Sequence, residues 1–264
     1  MSIVLDDVTF AYPDGSLAVD GVSLRIDAGE RVAIVGQNGA GKTTTVKLMN
    51  GLLKPTSGTV SIDGVDTKTQ TTATTARSVA YVFQNPDDQV FAPDVRGELE
   101  YMPRYDKWDA DKTAERVQRA VRMTGIGRFL DTNPSDLPFA IKKFVAIGAV
   151  LVGEPRYVIL DEPTAGLDSR GLALLNRMID QLGAEGVAVI TITHDMRFVA
   201  DSFHRVVAMA NRRVVADGAV EDVFADDAVL HASRLQRPVA AQLVRDLGLS
   251  RTALQIDTIA ALIP

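Results

Sequence analysis

The sequence predicts an α/β fold with a largely parallel sheet. Three observations carry this. Short apolar runs alternate with helical patterns, a glycine-rich loop joins one run to the helix after it, and a second run ends in two adjacent carboxylates. The 264 residues suffice for one large domain or two modest ones.

Residues 1–26 read as strands, because Val8, Phe10 and Tyr12 alternate at period two and Leu24 and Ile26 repeat the pattern. Pro13-Asp14-Gly15 signals a turn. Arg31–Val35 is an apolar run entering the glycine-rich loop, and a helix is expected from about Lys42 to Asn50, closed by Gly51. Thr59–Ile62 reads as a strand ending at Asp63-Gly64. Thr67–Thr75 holds six threonines and reads as a polar surface segment, since threonine bonds locally to backbone and favours turns. Ser78–Phe83 is a further strand.

From Asp88 to about Arg156 the pattern turns helical. Asp109 is placed to cap a helix running to about Met123, with Val117, Ala120 and Val121 on one face. Lys142–Val152 reads as a second helix, and the block reads as a helical insertion. Strands return at Tyr157–Leu160 and Val187–Thr193, and Val206–Ala210 pairs with Arg213–Val215 around Asn211-Arg212. The chain after Gly218 is polar and helical in pattern.

Composition narrows the function. A chain 46% hydrophobic and 23% charged is an ordinary soluble globular one. With 28 Lys+Arg against 34 Asp+Glu the net charge is −6, which argues against a nucleic-acid binder held by phosphate contacts. The absence of cysteine excludes disulfides, thiolate metal sites and a cysteine nucleophile, and fits a reducing compartment. The longest apolar stretch, Phe144–Val152, stops at Gly153-Glu154-Pro155, short of the roughly 18–20 residues of a membrane helix. Met1–Asp7 lacks the basic start of a signal peptide. The expectation is a cytoplasmic protein that serves a membrane, if at all, through a protein partner.

Gly36-Gln37-Asn38-Gly39-Ala40-Gly41-Lys42-Thr43 matches the phosphate-binding pattern G-x4-G-K-[ST], between the strand Val32–Val35 and a helical pattern. Glycines let the backbone wrap an anion, and the exposed N–H groups with the helix N-terminus stabilise phosphate charge. In this pattern Lys42 reaches the β- and γ-phosphates and Thr43 offers a hydroxyl to Mg2+. Downstream, Tyr157-Val158-Ile159-Leu160 ends in Asp161 and Glu162. A carboxylate at such a strand end can hold magnesium, and the next can polarise an attacking water.

The loop Gly36–Thr43, Gln84, the segment Leu160–Asp168 and His194 occur in the order seen in ATP-binding-cassette (ABC) ATPases, which the chain resembles over about residues 2–220. The resemblance implies a P-loop NTPase with a RecA-like core, an N-terminal antiparallel β-subdomain, an inserted α-helical subdomain at about 88–155 and a short C-terminal helical extension. It places the ATP-binding domain at 1–218 and a dimerisation region at 219–264. The implied ligands are ATP and Mg2+. By resemblance Tyr12 stacks on adenine, and Gly36, Gln37, Asn38, Gly39, Ala40, Gly41, Lys42, Thr43 and Thr44 hold the nucleotide. Thr43, Gln84 and Asp161 serve the metal, Gln84 also senses the attacking water and touches the membrane partner, Glu162 is the catalytic base, and His194 contacts the γ-phosphate. Asp168 lies in a loop that crosses to a second subunit. His204 and His231 have no such context.

Val82–Pro93 is similar to the ATPases of energy-coupling-factor importers and of cobalt and nickel uptake systems. That implies a second ABC ATPase, a transmembrane coupling subunit, a substrate-binding membrane subunit and a place on the cytoplasmic face of the membrane. The solute would be a vitamin or a transition-metal ion. A coupling helix of the membrane subunit is expected to dock near Gln84–Asp94.

One motif departs from the family. Where it carries Leu-Ser-Gly-Gly-Gln, this chain reads Leu137-Pro138-Phe139-Ala140-Ile141. In a head-to-tail dimer that segment faces the partner's γ-phosphate. Pro138 removes an N–H donor there, and Phe139 and Ile141 add bulk without a hydrogen bond. The following helix still offers a partial positive end, which Ser135 or Asp136 is placed to cap. Homodimer and heterodimer both stay open, and an asymmetric heterodimer follows naturally. An alternative function is a nucleotide-dependent switch with little hydrolysis, paired with an active paralogue; the intact Lys42, Asp161, Glu162 and His194 count against it. A DNA-repair ATPase of the same superfamily would carry long heptad insertions, which the interval from Gln84 to Asp161 lacks.

Overall fold

A computed structural model describes residues 1–246, and two sheets share one continuous interior. The chain opens with β1 (Ser2–Ala11) and β2 (Leu17–Asp27), an antiparallel pair closed by the turn at Pro13-Asp14-Gly15. β3 (Arg31–Gly36) leads through the glycine-rich loop into α1 (Lys42–Met49). β4 (Ser57–Ile62) and β5 (Val65–Asp66) flank the Asp63-Gly64 turn and complete an antiparallel sheet of order β2-β1-β4-β5.

The threonine-rich segment is more ordered than a polar surface stretch. Thr71 caps α2 (Thr72–Ser78), and Thr67 and Thr75 are fully buried. The hydroxyl of Thr75 satisfies itself on Thr71 O, which lets Thr75 enter the interior, whereas the buried Thr67 hydroxyl has no partner among the described residues.

β6 (Val79–Val82) follows, then the helical insertion: α3 (Val95–Tyr105), α4 (Ala110–Thr124) and α5 (Phe139–Leu151). Asp109 caps α4 as its sequence position predicts, and Val117 and Ala120 are buried while Val121 packs at the edge of the core. α3 has no counterpart in the sequence reading. Pro103 sits inside it and its charged outer face dilutes the apolar pattern, but Asp94 caps it by accepting from Gly97 N at 2.7 Å. α5 begins at Phe139 rather than Lys142, with Pro138 in the capping position and no side-chain cap. The expected cap by Ser135 or Asp136 does not form, because both lie in a 3-10 turn whose own cap is Asn133.

β7 (Tyr157–Asp161), α6 (Ser169–Ala184), β8 (Ala188–Ile192), α7 (Met196–Ser202), β9 (Arg205–Ala210) and β10 (Arg213–Ala219) complete the core. The sheet order is β10-β9-β3-β8-β7-β6, parallel except for the β9–β10 hairpin. Asn211 and Arg212 both have positive φ, as the tight turn of that hairpin demands. α6 also went unread in the sequence; Asp168 caps it, accepting from Gly171 N at 2.8 Å.

The central sheet is covered on both faces. Val32, Ile34 and Ile159 meet the antiparallel sheet and α1, while Ala33, Val35, Val158 and Leu160 meet the helical side. After β10, α8 (Val220–Ala225), α9 (Asp227–Ser233) and α10 (Val239–Asp246) follow. Phe224 and Leu230 belong to the helical-side core, so the start of the C-terminal extension is packed on the central sheet's helical side itself. Residues 247–264 of the expected dimerisation region lie outside the described residues.

Candidate nucleotide site

The site forms where three parallel strands end side by side. β3 delivers the glycine-rich loop, β7 delivers Asp161 and Glu162, and β8, between them, delivers Thr193 and His194. Strand ends at such a crossover are where open α/β sheets bind ligands. One cavity of ≈ 520 Å³ is lined by Asn38–Thr44, Gln84, Asp161, Glu162 and His194. The structure therefore brings together most of the residues singled out in the sequence. Gly36 and Gln37 stand behind the loop, where their carbonyls accept from Lys42 Nζ at 2.7 and 3.0 Å. Tyr12 stands at the rim, with its hydroxyl 3.1 Å from Thr44 Oγ1 and its ring edge-on to Phe10.

Two glycines of the loop are steric necessities. A Cβ on Gly36 would lie 2.1 Å from Met209 O, and one on Gly41, whose φ is +99°, would lie 2.5 Å from Ala18 O. These close approaches hold the loop against β9 and β2. α1 starts directly at Lys42, so its positive end lies at the cavity that Lys42 lines. Lys42 is buried, and burial pushes its ammonium below the usual lysine range.

Both carboxylates are pulled out of water, and burial raises each above the ordinary carboxylate range. Asp161 is opposed in this by the Tyr81 hydroxyl, which donates to Oδ2 at 2.6 Å. Glu162 faces His194: Oε1 lies 3.5 Å from Nε2, and the His194 backbone N–H points to Oε2 at 3.4 Å. Glu162 has a φ of +47°, a left-handed conformation that costs a non-glycine residue about 1–2 kcal/mol. Its N–H donates to Ile192 O at 2.8 Å, which fixes the turn.

Sequence reasoning passed over Tyr81 and Lys143. Tyr81 stands in the run Val79–Val82, and a buried tyrosine needs a partner for its hydroxyl, which is the signal that could have found it. Lys143 is a lysine set against the apolar run Phe144–Val152.

Gln84 is followed by a segment fastened to the helical insertion. Gln89 accepts from Phe83 N at 3.0 Å and donates to Ala146 O at 3.5 Å, Lys142 pairs with Asp87 at 2.5 Å, and Glu98 accepts from both Phe91 N and Ala92 N. Beside it lies a mainly apolar groove of ≈ 380 Å³ lined in part by Leu52, Phe91, Tyr101, Met102 and Tyr105.

The donor set suits Mg2+: a hydroxyl from Thr43, an amide oxygen from Gln84 and a carboxylate from Asp161, all oxygen and all on one cavity. Among the described residues no cluster of three acidic or histidine side chains could hold a metal unaided.

The family model for ABC transporters matches residues 19–165. The energy-coupling factor transporter ATP-binding protein EcfA of Methanoculleus marisnigri is 38% identical over 242 residues, covering 91% of this chain and 87% of its own. The structure of cbiO1 from Clostridium perfringens, part of the ABC transporter complex cbiONQ, superposes with a TM-score of 0.79 at 34% identity, covering 92% of this chain and 98% of that one. The dimeric post-hydrolysis structure of the ATP-binding cassette MJ0796, bound to ADP and Pi, gives a TM-score of 0.74 at 25% identity, covering 83% of this chain and 98% of that one. A phosphate loop facing paired carboxylates across a parallel sheet, and these likenesses, have one reading: the chain belongs to the ABC transporter family and is the ATPase subunit of a transporter.

Proposed function

We propose that this chain binds and hydrolyses ATP to drive an importer of the energy-coupling-factor type, which takes up a vitamin or a transition-metal ion. The observation that carries the catalytic part is the single cavity shared by Lys42, Asp161, Glu162 and His194. Tyr12 stacks on the adenine, and residues 36–44 hold the phosphates through backbone N–H groups and the Lys42 ammonium. Thr43, Gln84 and Asp161 would hold Mg2+, which would supply charge neutralisation to the transferring phosphate. Glu162 orients a water and accepts its proton as the oxygen attacks the γ-phosphorus. The bond to the bridging oxygen breaks, and ADP and inorganic phosphate leave. The raised affinity of Glu162 for protons suits a group that must take one up. His194, beside Glu162, contacts the γ-phosphate.

The reading extends to partners. Likeness to EcfA and cbiO1 supports membrane subunits at the cytoplasmic face, and likeness to a dimeric cassette supports a second ATPase. No helix among the described residues is long and apolar enough to cross a membrane, so the chain acts on a bilayer through those subunits. The apolar groove beside Gln89 and Phe91 is the docking surface for a coupling helix. The extension at 219–264 serves dimerisation. Pro138 and Phe139 open α5 without a side-chain cap, and Phe139 is 42% exposed, so this chain offers its partner few donors. A heterodimer follows, in which the partner's intact signature completes this chain's own site.

The test is the Mg2+-dependent ATPase rate of the purified chain across protein concentrations, with Lys42→Ala as the blank and Glu162→Gln as the catalytic variant. The expected result is ATP binding with a rate near the blank, raised when the co-assembling ATPase is added and lost again in Glu162→Gln. Undiminished turnover in Glu162→Gln would overturn the catalytic assignment. A rate rising more than linearly with concentration in the chain alone would overturn the heterodimer.

A further inference from the structure

Lys143 is 1% exposed, a charge in the interior beside the site but absent from its lining. It makes no ion pair among the described residues. Its Nζ instead donates to two backbone carbonyls, Glu162 O and Ala165 O, each at 2.9 Å. Those carbonyls bound the turn that follows β7, in which Ala165 N also donates to Glu162 O at 3.3 Å. The loop thus closes around the ammonium. On its outer side the ammonium lies 5.2 Å from the centre of the Phe139 ring. That ring packs on the same loop, since a Cβ on Gly166 would lie 2.9 Å from Phe139 Cδ1.

The energetics say why this arrangement is more than packing. Glu162 holds a strained left-handed backbone, and such residues persist only where their surroundings over-determine them. Its N–H is held by Ile192 O at the end of β8, and its C=O by Lys143 on α5. The two clamps come from opposite sides of the same residue and fix the direction of its side chain. Burying an ammonium is expensive unless it is both paired and hydrogen-bonded, and Lys143 has the hydrogen bonds alone. A charged anchor is therefore unexpected where an apolar side chain would pack, unless the carbonyls need it.

The geometry points to Lys143 as a positioning residue for ATP hydrolysis, tying the N-terminal part of α5 to the backbone of Glu162. The inference rests on the catalytic reading of Glu162 given above. Its content is a mechanical link. Phe139 lies on the surface offered to the partner subunit, Lys143 lies beneath Phe139, and the carbonyl of Glu162 hangs from Lys143. A displacement of the N-terminal part of α5 on dimer closure reaches the catalytic carboxylate through one side chain.

The test uses the full chain purified with the subunits that co-assemble with it. Lys143→Met keeps an unbranched side chain and removes the donors, while Lys143→Gln is slightly shorter and keeps two N–H groups. The expected result for Lys143→Met is a kcat reduced about tenfold to a hundredfold, with KM for ATP within about twofold, because only orientation is lost. Hydrogen exchange at residues 164–167 rises in the same variant, and Lys143→Gln restores part of both. A Lys143→Met complex with wild-type kcat and wild-type exchange overturns the proposal, as does a loss carried wholly in KM. If Lys143→Met does not fold, Phe139→Ala supplies the exchange readout: a rise is expected, and unchanged exchange overturns the link. Glu162→Gln is run alongside. Undiminished turnover there refutes the catalytic reading, whereas the exchange data on Lys143 stand apart from it.

Discussion

The Tyr81 hydroxyl donates to Asp161 Oδ2 at 2.6 Å across two adjacent parallel strands. Each group solves the other's problem. The phenol is buried and needs an acceptor, and the carboxylate is buried and needs a donor to remain ionised. Burial and this bond together push the phenol well above the usual tyrosine range.

Tyr81→Phe removes that donor and leaves the ring. The unfolding free energy is expected to fall by about 1.5–3 kcal/mol, the range for a hydrogen bond to a charged group. Urea denaturation measures it. With its proton affinity no longer lowered by Tyr81, Asp161 should also require more Mg2+ for half-maximal turnover.

Gly41→Ala places a methyl 2.5 Å from Ala18 O at a φ of +99°. The loop that lines the cavity must move away from β2. ATP affinity is expected to fall at least about tenfold, with strain of about 1–3 kcal/mol in the fold. Equilibrium titration with a fluorescent ATP analogue, alongside thermal unfolding, checks both.

The Lys143 ammonium is pushed by burial down to about 8 from lysine's ordinary 10.5. Between those values the unfolded chain binds a proton that the folded chain has released, so unfolding becomes harder as pH rises. The cost of the buried charge is fully present below about pH 8 and is relieved above it. The stability of the wild type relative to Lys143→Met is expected to increase from about pH 7 to about pH 10. Denaturant midpoints of both proteins at each pH decide it, and a difference independent of pH would refute the shifted titration.

Replacing Pro138–Ile141 with Ser-Gly-Gly-Gln supplies the hydroxyl and N–H donors the segment lacks. Turnover of the isolated chain is expected to rise at least about tenfold, since single donors at a developing charge are worth that much or more. Unchanged turnover in both the isolated chain and the complex would mean the segment never meets a phosphate.

Much of the site was legible because its chemistry is contiguous in the chain. Gly36–Thr43 needs its glycines and lysine at fixed spacing, and Asp161-Glu162 follows an apolar strand. The parallel sheet was legible from runs such as Tyr157–Leu160, which are buried on both faces. Groups whose roles arise only across strands were hidden. Tyr81 meets Asp161 through sheet register, and Lys143 reaches the Glu162 carbonyl from α5, the helix just before β7, by folding back across 19 residues. α3 and α6 were missed for a related reason: each buries a narrow face, and its caps, Asp94 and Asp168, carry more of the signal than its apolar spacing. The misplaced start of α5 has a local cause, because Pro138 begins that helix without the usual capping side chain.

The segment from Phe83 to Ala92 is held by Gln89, Lys142 and Glu98, which belong respectively to itself, to α5 and to α3. Two of these ties end on α5, the helix that also carries Lys143. A surface secured this way has little backlash. With a coupling helix docked as proposed, force applied at the apolar groove reaches α5 through these ties rather than bending a loose connection. Under that docking, the yield of the coupling depends on how firmly Gln89, Lys142 and Glu98 hold the segment.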